Sequence, residues 1–201
     1  GQGSVAAVSF RATEALLNYI EAQYMLTNDI NSGHILEYWK IVRTAAGFTG
    51  DAADPRITIA ATDMTKEKLD WGAYSGGQLL ADATLYNIRR ERRCELMGEG
   101  SRWRDLIRWR ALEQMSKEPY FVEGFHLWNT PMQTWYEAQE LIADGSSSAT
   151  VSNVSLSEYM RTYQRDMTAN NLHRNGFTWS MAHYLQPMPL KQFLLTAPDH
   201  T

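Results

Sequence analysis

The sequence has little cysteine, no long apolar run and no surplus of basic charge, and each shortage excludes a class of protein. Cys94 is the only cysteine in 201 residues, so neither an intrachain disulfide nor a cysteine-based zinc cage can form. No apolar run approaches the roughly 20 residues that a membrane-spanning helix requires. Cys94 falls in the middle of a predicted helix, where we expect it to be a small buried residue.

The charge pattern argues against nucleic-acid binding. The formal net charge is −4, whereas a protein that binds nucleic acid broadly needs a basic surface to neutralise phosphates. The one basic cluster, Arg89–Arg93, is interrupted by Glu91 and followed by Glu95. Interleaved charges of opposite sign predict a salt-bridged helix face and not a phosphate site.

Motifs that carry catalysis or hold metals are missing. The five histidines are dispersed, and none lies at metal-ligand spacing from another histidine or from the cysteine. No G-x-S-x-G nucleophile motif occurs, and the Trp71–Gly77 loop precedes no Walker-type Lys-Ser/Thr. Asp51 and Asp54 are too few oxygen ligands for calcium and predict a turn. We therefore expect neither a metal ion nor a cofactor.

Four carboxylates keep an enzymatic alternative open, because glycoside hydrolases work with a pair of them. The candidates are Glu91, Glu95, Glu99 and Asp105, and each has an arginine within one helical turn. An arginine keeps its partner ionised, whereas a general acid needs a raised pKa. We favour structural pairing over a catalytic centre at these residues.

Hydrophobic periodicity predicts a mainly α-helical protein with long loops and little sheet. With 44% hydrophobic residues, a chain of this length suffices for one domain with a core. Helices are predicted over residues 9–28, 34–46, 78–98 and 101–115, with shorter ones over 134–142 and 156–167. A short strand is predicted over 56–60, a surface loop over 145–150 and an extended segment over 184–189.

The first helix carries one polar stripe on an otherwise apolar circumference. Arg11, Glu14, Asn18 and Glu21 recur at steps of three and four residues, which places them on one face. A helix of this kind is buried on two sides, so we expect the stripe to pair with neighbouring charges.

The stretch Ile88–Trp109 predicts a charged helical hairpin. Gly98 and Gly100 favour the positive φ that ends a helix, and Ser101 is placed to cap the next one. Arginines and carboxylates on the two arms would then meet across the seam, where an arginine can bind a carboxylate through two hydrogen bonds. The apolar sides of the two arms are expected to carry Leu85, Ile88, Leu96 and Met97, and Trp103, Leu106, Ile107 and Ala111.

This stretch resembles the C-terminal signature of the SusD/RagB family, I-x-x-E-R-R-x-E-L-x-G-E-G-x-R-x-x-D-L-x-R-W. The matching positions are Ile88, Glu91, Arg92, Arg93, Glu95, Leu96, Gly98, Glu99, Gly100, Arg102, Asp105, Leu106, Arg108 and Trp109. Further segments resemble the same family, at Arg11, Glu14, Leu17, Glu21 and Ala22, at Arg43, Ala46 and Gly47, and at the closing Tyr184–Pro189.

The resemblance implies a scaffold role for the motif and a longer protein. The residues assigned to the scaffold are Arg11, Glu14, Glu91, Arg92, Glu95, Glu99, Arg102, Asp105 and Arg108. The implied fold is an irregular helical domain of the SusD type that packs on a tetratricopeptide-like helical half. Residues 1–201 would then be a single domain, the C-terminal part of a protein whose N-terminal part carries the signal peptide and a lipid anchor.

The function implied by the resemblance is non-catalytic nutrient binding. Members of the family are surface lipoproteins in the outer membrane of Bacteroidetes-type bacteria. They bind glycans or other nutrients and deliver them to a TonB-dependent transporter of the SusC type. A competing interpretation of the same helices is a helical-repeat module for protein–protein contact.

Aromatic residues in irregular segments are the candidate ligand contacts. Seven Trp and ten Tyr are more than packing requires, and sugars stack on such rings while amides bind their hydroxyl groups. The candidates are Trp71 with Tyr74, and Trp128 with Asn129 and Trp135, because binding residues concentrate on such segments. The alternative is that each ring packs its irregular segment onto the helices.

Overall fold

The computed structural model describes residues 10–185 and 188–192, and the chain divides into two compact units, residues 1–112 and 113–201. Residues 10–112 of the first unit form five α-helices: α1 Ala12–Thr27, α2 Ile35–Ala45, α3 Pro55–Ala60, α4 Ala83–Glu95 and α5 Arg102–Arg108. It also holds a small antiparallel hairpin of β1 Tyr74–Ser75 and β2 Gln78–Leu79. The prediction of a mainly α-helical chain with little sheet is confirmed, and the prediction of a single domain stays a prediction.

Helices α1, α2 and α4 enclose the core of the first unit. One buried cluster combines Ile20 and Tyr24 of α1 with Ile35 and Trp39 of α2 and Ile88 of α4. A second cluster consists of Leu17, Val42 and Leu96. Full burial of each such side chain contributes roughly 1.5–3 kcal/mol. These contacts therefore fix the helices that carry the charged residues described below.

Helix α4 begins later than predicted because a hairpin occupies the first predicted residues. Gln78 and Leu79 pair with β1, and the carboxylate of Asp82 then accepts the backbone N–H groups of Thr84 and Leu85. An aspartate in that position caps a helix N-terminus.

The break after α4 follows the predicted glycines. Gly98 and Gly100 have φ angles of 83° and 74°. Ser101 precedes α5, but its side chain makes no capping hydrogen bond. Arg110, with φ of 52°, ends the second arm well before residue 115.

Four side chains differ from the burial expected of them. Met97 and Trp103 are 82% and 56% exposed, whereas Leu106 and Ala111 are buried. Met97 follows the end of α4, and Trp103 lies in the first turn of the short α5. Cys94 is exposed as well, because it lies about 200° around the helix from the buried Arg92. The predicted burial of Met97, Trp103 and Cys94 was therefore wrong, and Ile107 is only half-buried.

Residues 56–60 form helix α3, so the predicted strand was wrong. The Asp54 carboxylate accepts the backbone N–H of Arg56 at 3.0 Å, and Pro55 occupies the first helical turn. Both features favour a helix start and override the strand preference of the β-branched residues that follow.

Between residues 113 and 185 the second unit is built from turns. Its 3-10 helices are Glu113–Ser116, Pro131–Trp135, Ala138–Glu140, Thr162–Gln164 and Met181–Tyr184. Two antiparallel bridges link Tyr120 with Phe177 and His126 with Tyr159. The predicted α-helix over 134–142 was wrong, since this stretch holds only 3-10 turns.

The α-helix predicted over 156–167 was also wrong, because its backbone pairs with another segment. The backbone carbonyl of Glu158 accepts hydrogen bonds from the N–H groups of Leu127 and Trp128. The backbone of Met160 accepts one from Gly124 and donates one to Phe125. Residues 145–150 form a loop, as predicted. The predicted extended segment 184–189 begins in a 3-10 turn, and residues 186 and 187 lie outside the described residues.

Candidate functional site

The polar stripe of α1 meets the arginines of the hairpin. Glu21 is 3% exposed, and its carboxylate accepts Arg108 at 2.5 and 2.6 Å and the Trp109 indole N–H at 2.7 Å. Burial by itself would raise the pKa of Glu21, but the hydrogen bonds and charge of Arg108 and the bond from Trp109 outweigh burial and lower the pKa. Glu21 is therefore held as a carboxylate.

The Arg92 side chain of α4 contacts residues of both α1 and α5 at the seam of the hairpin. Its Nε donates to both oxygens of Asp105, at 2.9 and 2.8 Å, and its Nη1 donates to Asn18 at 2.7 Å. The Glu14 carboxylate lies 3.7 Å from its Nη2. Arg92 and Asp105 are therefore paired as structural groups at this seam.

The remaining signature residues pair outside the hairpin. Glu91 accepts Arg43 of α2 at 3.0 and 2.9 Å, and Glu99 binds Arg11 at 2.6 Å. Glu95 differs from the others, because burial and then the charge of Glu91 raise the pKa of its carboxyl. Arg11 opposes this rise, but the net shift of the Glu95 pKa is upward, which the sequence did not predict.

Asp70 fixes the start of the loop that carries Trp71. Its carboxylate accepts Arg93 at 2.7 Å, Arg102 at 3.0 Å and the backbone N–H of Gly72 at 2.9 Å. The hydroxyl of Tyr86 donates to it at 3.2 Å. Two signature arginines thus hold this loop through one carboxylate.

Arg89 fixes the other end of the same loop. It donates to the carbonyl oxygens of Gly72 and Tyr74 at 3.2 and 2.9 Å and to the Ser75 hydroxyl at 2.9 Å. Its guanidinium lies 4.8 Å from the centre of the Trp109 ring. Burial lowers the pKa of Arg89 to about 10. Trp71 and Tyr74 are half-buried on this rigid support.

Trp128, Asn129 and Trp135 lie in the second unit. Trp128 is half-buried, and its indole N–H donates to the carbonyl of Ser152 at 2.9 Å. Asn129 has φ of 60° and donates its amide to Glu158 at 2.7 Å. Trp135 is 72% exposed. The five predicted contact residues are thus divided between the two units, and their role in binding stays a prediction.

Three residues that sequence reasoning missed complete a polar and aromatic cluster around Asn129. The His126 ring stacks on Tyr159 at 4.5 Å with 16° between the planes, and its Nε2 lies 3.2 Å from Glu158. Hydrogen bonds from Asn129 and His126 lower the pKa of Glu158. The 126/159 cluster consists of five residues: His126, Trp128, Asn129, Glu158 and Tyr159.

Local sequence contains no signal for this cluster. It forms because residues 124–128 and 158–160 exchange backbone hydrogen bonds across some thirty positions. Contacts of that separation depend on the path of the whole segment and not on periodicity.

Two classes of site receive no support within residues 10–185 and 188–192. No group of three or more His, Cys, Asp or Glu side chains could hold a metal ion there. No helix in the same ranges is both long and apolar enough to cross a membrane.

Comparison with models of known protein families identifies the family of this chain. The model of the SusD family matches residues 1–195. It describes a class of proteins that bind nutrients or glycans at the cell surface and are generally non-catalytic. Because the match spans nearly all of the chain, this chain belongs to the SusD family. Searches of curated proteins and of solved structures gave no match.

Proposed function

We propose that the chain binds a glycan without hydrolysing it and contributes to delivering it to a SusC-like TonB-dependent transporter. The 126/159 cluster is the proposed glycan site. The observation that carries this proposal is the stacked His126–Tyr159 pair beside the Glu158 carboxylate. Membership of the SusD family supports nutrient or glycan binding as the class of function.

The cluster combines the two kinds of group that bind a sugar. A ring face accepts the apolar face of a pyranose, and a fixed carboxylate accepts its hydroxyl groups. Asn129 orients Glu158 at 2.7 Å, and Trp128 is fixed by its bond to Ser152. Trp135, which is 72% exposed, offers a further ring, and Trp71 and Tyr74 are proposed contacts in the first unit.

The electrostatics of the cluster support binding over hydrolysis. A glycosidase needs a general acid with a raised pKa, whereas the Asn129 and His126 hydrogen bonds lower the pKa of Glu158. Glu158 is therefore suited to accept hydroxyl hydrogen bonds and not to donate a proton to a leaving group.

Calorimetric titration of the chain with a panel of neutral oligosaccharides tests the binding site. For any oligosaccharide that binds, Tyr159→Ala and Glu158→Gln should each weaken affinity about tenfold, a loss of about 1.4 kcal/mol. Trp103→Ala, which removes an exposed ring of the first unit, is the control and should bind as the unchanged protein does. Equal affinities in all three variants would show that the oligosaccharide binds outside the 126/159 cluster.

The aromatic contacts predicted from sequence are tested in the same titration. Alanine substitutions at Trp71, Tyr74, Trp128 and Trp135 should weaken binding wherever the ring touches the sugar. Unchanged affinity in all four would show that these rings pack the loops. Release of reducing sugar from any oligosaccharide would instead support a hydrolase.

Delivery to a transporter, and the outer-membrane lipoprotein setting that goes with it, is tested with the full-length protein. We expect a TonB-dependent transporter of the SusC type to co-purify with it from outer membranes. A native complex without a transporter would favour the helical-repeat module as the function of these helices.

A further inference from the structure

The first unit contains a cleft that the proposed function does not use. Its volume is about 730 Å³, within the range of small-molecule sites. It lies among the residues of α1, α4 and α5 and the glycine turn between the last two. The side chains that matter for its chemistry are Phe10, Arg11, Leu96, Ser101, Arg104 and the carboxylates beside them.

Arg104 is the cation of this cleft that has no partner. Arg11 binds Glu99 at 2.6 Å, Arg92 binds Asp105 at 2.8 Å, and Arg108 binds Glu21 at 2.5 Å. Arg104 makes no hydrogen bond or ion pair with any residue in the described ranges. Its planar guanidinium is therefore available to a ligand.

Two further hydrogen-bond donors of the cleft are also unused. The Nε of Arg11 is buried and has no acceptor within the described ranges. The hydroxyl group of Ser101 has no hydrogen-bond partner there either. A buried donor without an acceptor is unfavourable, so a ligand that supplies acceptor atoms would stabilise this arrangement.

The carboxylates that line the cleft do not satisfy these donors. Glu99 is taken by Arg11, and Asp105 by Arg92 and Arg108. Glu14 lies beyond hydrogen-bond distance of its nearest arginine, 3.7 Å from Arg92. The donors of Arg104 and Ser101 therefore remain available, and Glu14 is the one lining carboxylate whose side chain makes no hydrogen bond within the described residues.

The cleft also has an apolar wall. Phe10, which is 61% exposed, and the buried Leu96 both line it. A ligand that fits both features carries an oxyanion on a body with an apolar face.

We propose that this cleft binds a small molecule bearing a carboxylate or sulfate group, with the oxyanion on Arg104 and Ser101 and the body against Phe10. The guanidinium fork matches the two oxygens of such a group. This site is independent of the neutral-glycan site in the second unit, because no residue is common to the two.

The test is an NMR titration of the chain at constant ionic strength, with chloride replaced by sodium sulfate or by sodium galacturonate. Saturable shifts of the Ser101 and Arg104 amide signals are expected with these oxyanions. Galactose, which has the same ring without the carboxylate, should leave both signals unchanged. Comparison of sulfate with galacturonate shows whether an inorganic anion suffices or the ring adds affinity.

Substitutions test whether the oxyanion binds in the cleft. Arg104→Gln should raise the dissociation constant at least tenfold, and Arg104→Lys should recover part of the affinity by keeping the charge. Arg165→Gln removes the same charge from an exposed arginine of the second unit and should bind as the unchanged protein does. Arg104 is exposed and has no partner to lose, so these variants should keep the fold, which circular dichroism checks.

Two results would overturn the proposal. One is the absence of saturable shifts with both anions. The other is an equal weakening by Arg104→Gln and Arg165→Gln, which would show a general charge effect. Neither result would bear on the neutral-glycan site, whose variants are titrated separately.

Discussion

Arg92 donates one N–H to both oxygens of Asp105, at 2.9 and 2.8 Å, across the glycine turn that separates α4 from α5. Their side chains are 7% and 4% exposed. The pair is therefore shielded from water. Removal of Asp105 leaves the buried Arg92 with Glu14, 3.7 Å away, as its nearest carboxylate, whereas Asp105 without Arg92 would keep Arg108.

Asp105→Asn should lower the free energy of unfolding of the first unit by about 3–5 kcal/mol, the usual cost of breaking a buried pair. Urea denaturation with hydrogen exchange of the first unit measures this. Lys66→Met, which removes an 80% exposed partner of Asp63, should cost within about 1 kcal/mol. Equal unfolding midpoints for the two variants would contradict the structural role of the seam.

Glu91→Ala and Arg102→Ala should differ in cost, although both residues belong to the family signature. Glu91→Ala strands Arg43 in a pair whose side chains are 7% and 10% exposed, so about 3–5 kcal/mol should be lost. Arg102 is 34% exposed, and Asp70 retains Arg93 without it, so Arg102→Ala should cost about 1 kcal/mol. Urea denaturation compares the two variants, and a reversed order would contradict this assignment of partners.

The stability of the first unit should fall in acid partly through Glu21. Its folded pKa lies below the value of 4.5 for a free glutamate. The carboxylate therefore contributes its full stability above the unfolded pKa, and the contribution is lost as the pH falls through the folded pKa. Glu21→Gln should flatten the dependence of stability on pH below about pH 5. The exposed Glu118→Gln is the control, and an unchanged slope in Glu21→Gln would refute the prediction.

Gly176→Ala should be more destabilising than Gly98→Ala. Both glycines have positive φ, 79° and 83°, so each alanine adds about 1–2 kcal/mol of backbone strain. A Cβ at Gly98 would meet nothing within 4 Å, whereas one at Gly176 would lie 3.0 Å from Phe121 and Pro119. Crowding should add about 1 kcal/mol or more at Gly176. Thermal denaturation of the two variants checks the order.

Patterns over a few residues predicted most of the elements whose cause is local. The helices near 9–28 and 34–46 follow apolar spacing, and the break at Gly98 and Gly100 follows the freedom of glycine at positive φ. The strand expected over 56–60 failed for a local reason as well, since the Asp54 cap and Pro55 outweigh three β-branched residues. The helix expected over 156–167 failed because its backbone pairs with residues 124–128 instead.

Only part of the 126/159 cluster could be predicted from the sequence. Trp128 and Asn129 could be selected because aromatic and amide side chains in an irregular segment favour sugar binding. His126, Glu158 and Tyr159 could not, because each becomes meaningful only through its contact with a residue some thirty positions away.

By itself, the sequence determined that α1, α2 and the arms of the charged hairpin are helical, where that hairpin turns, and which family signature it carries. These features depend on spacing and backbone preference over a few residues. Only the tertiary structure decided which carboxylate each arginine meets, that Arg89 and Asp70 hold the Trp71 loop, and that Arg104 alone of its cleft keeps a free guanidinium within the described residues. Partners such as Glu21 and Trp109 stand 88 positions apart, and only the packing of α1 against the hairpin brings them within hydrogen-bond distance.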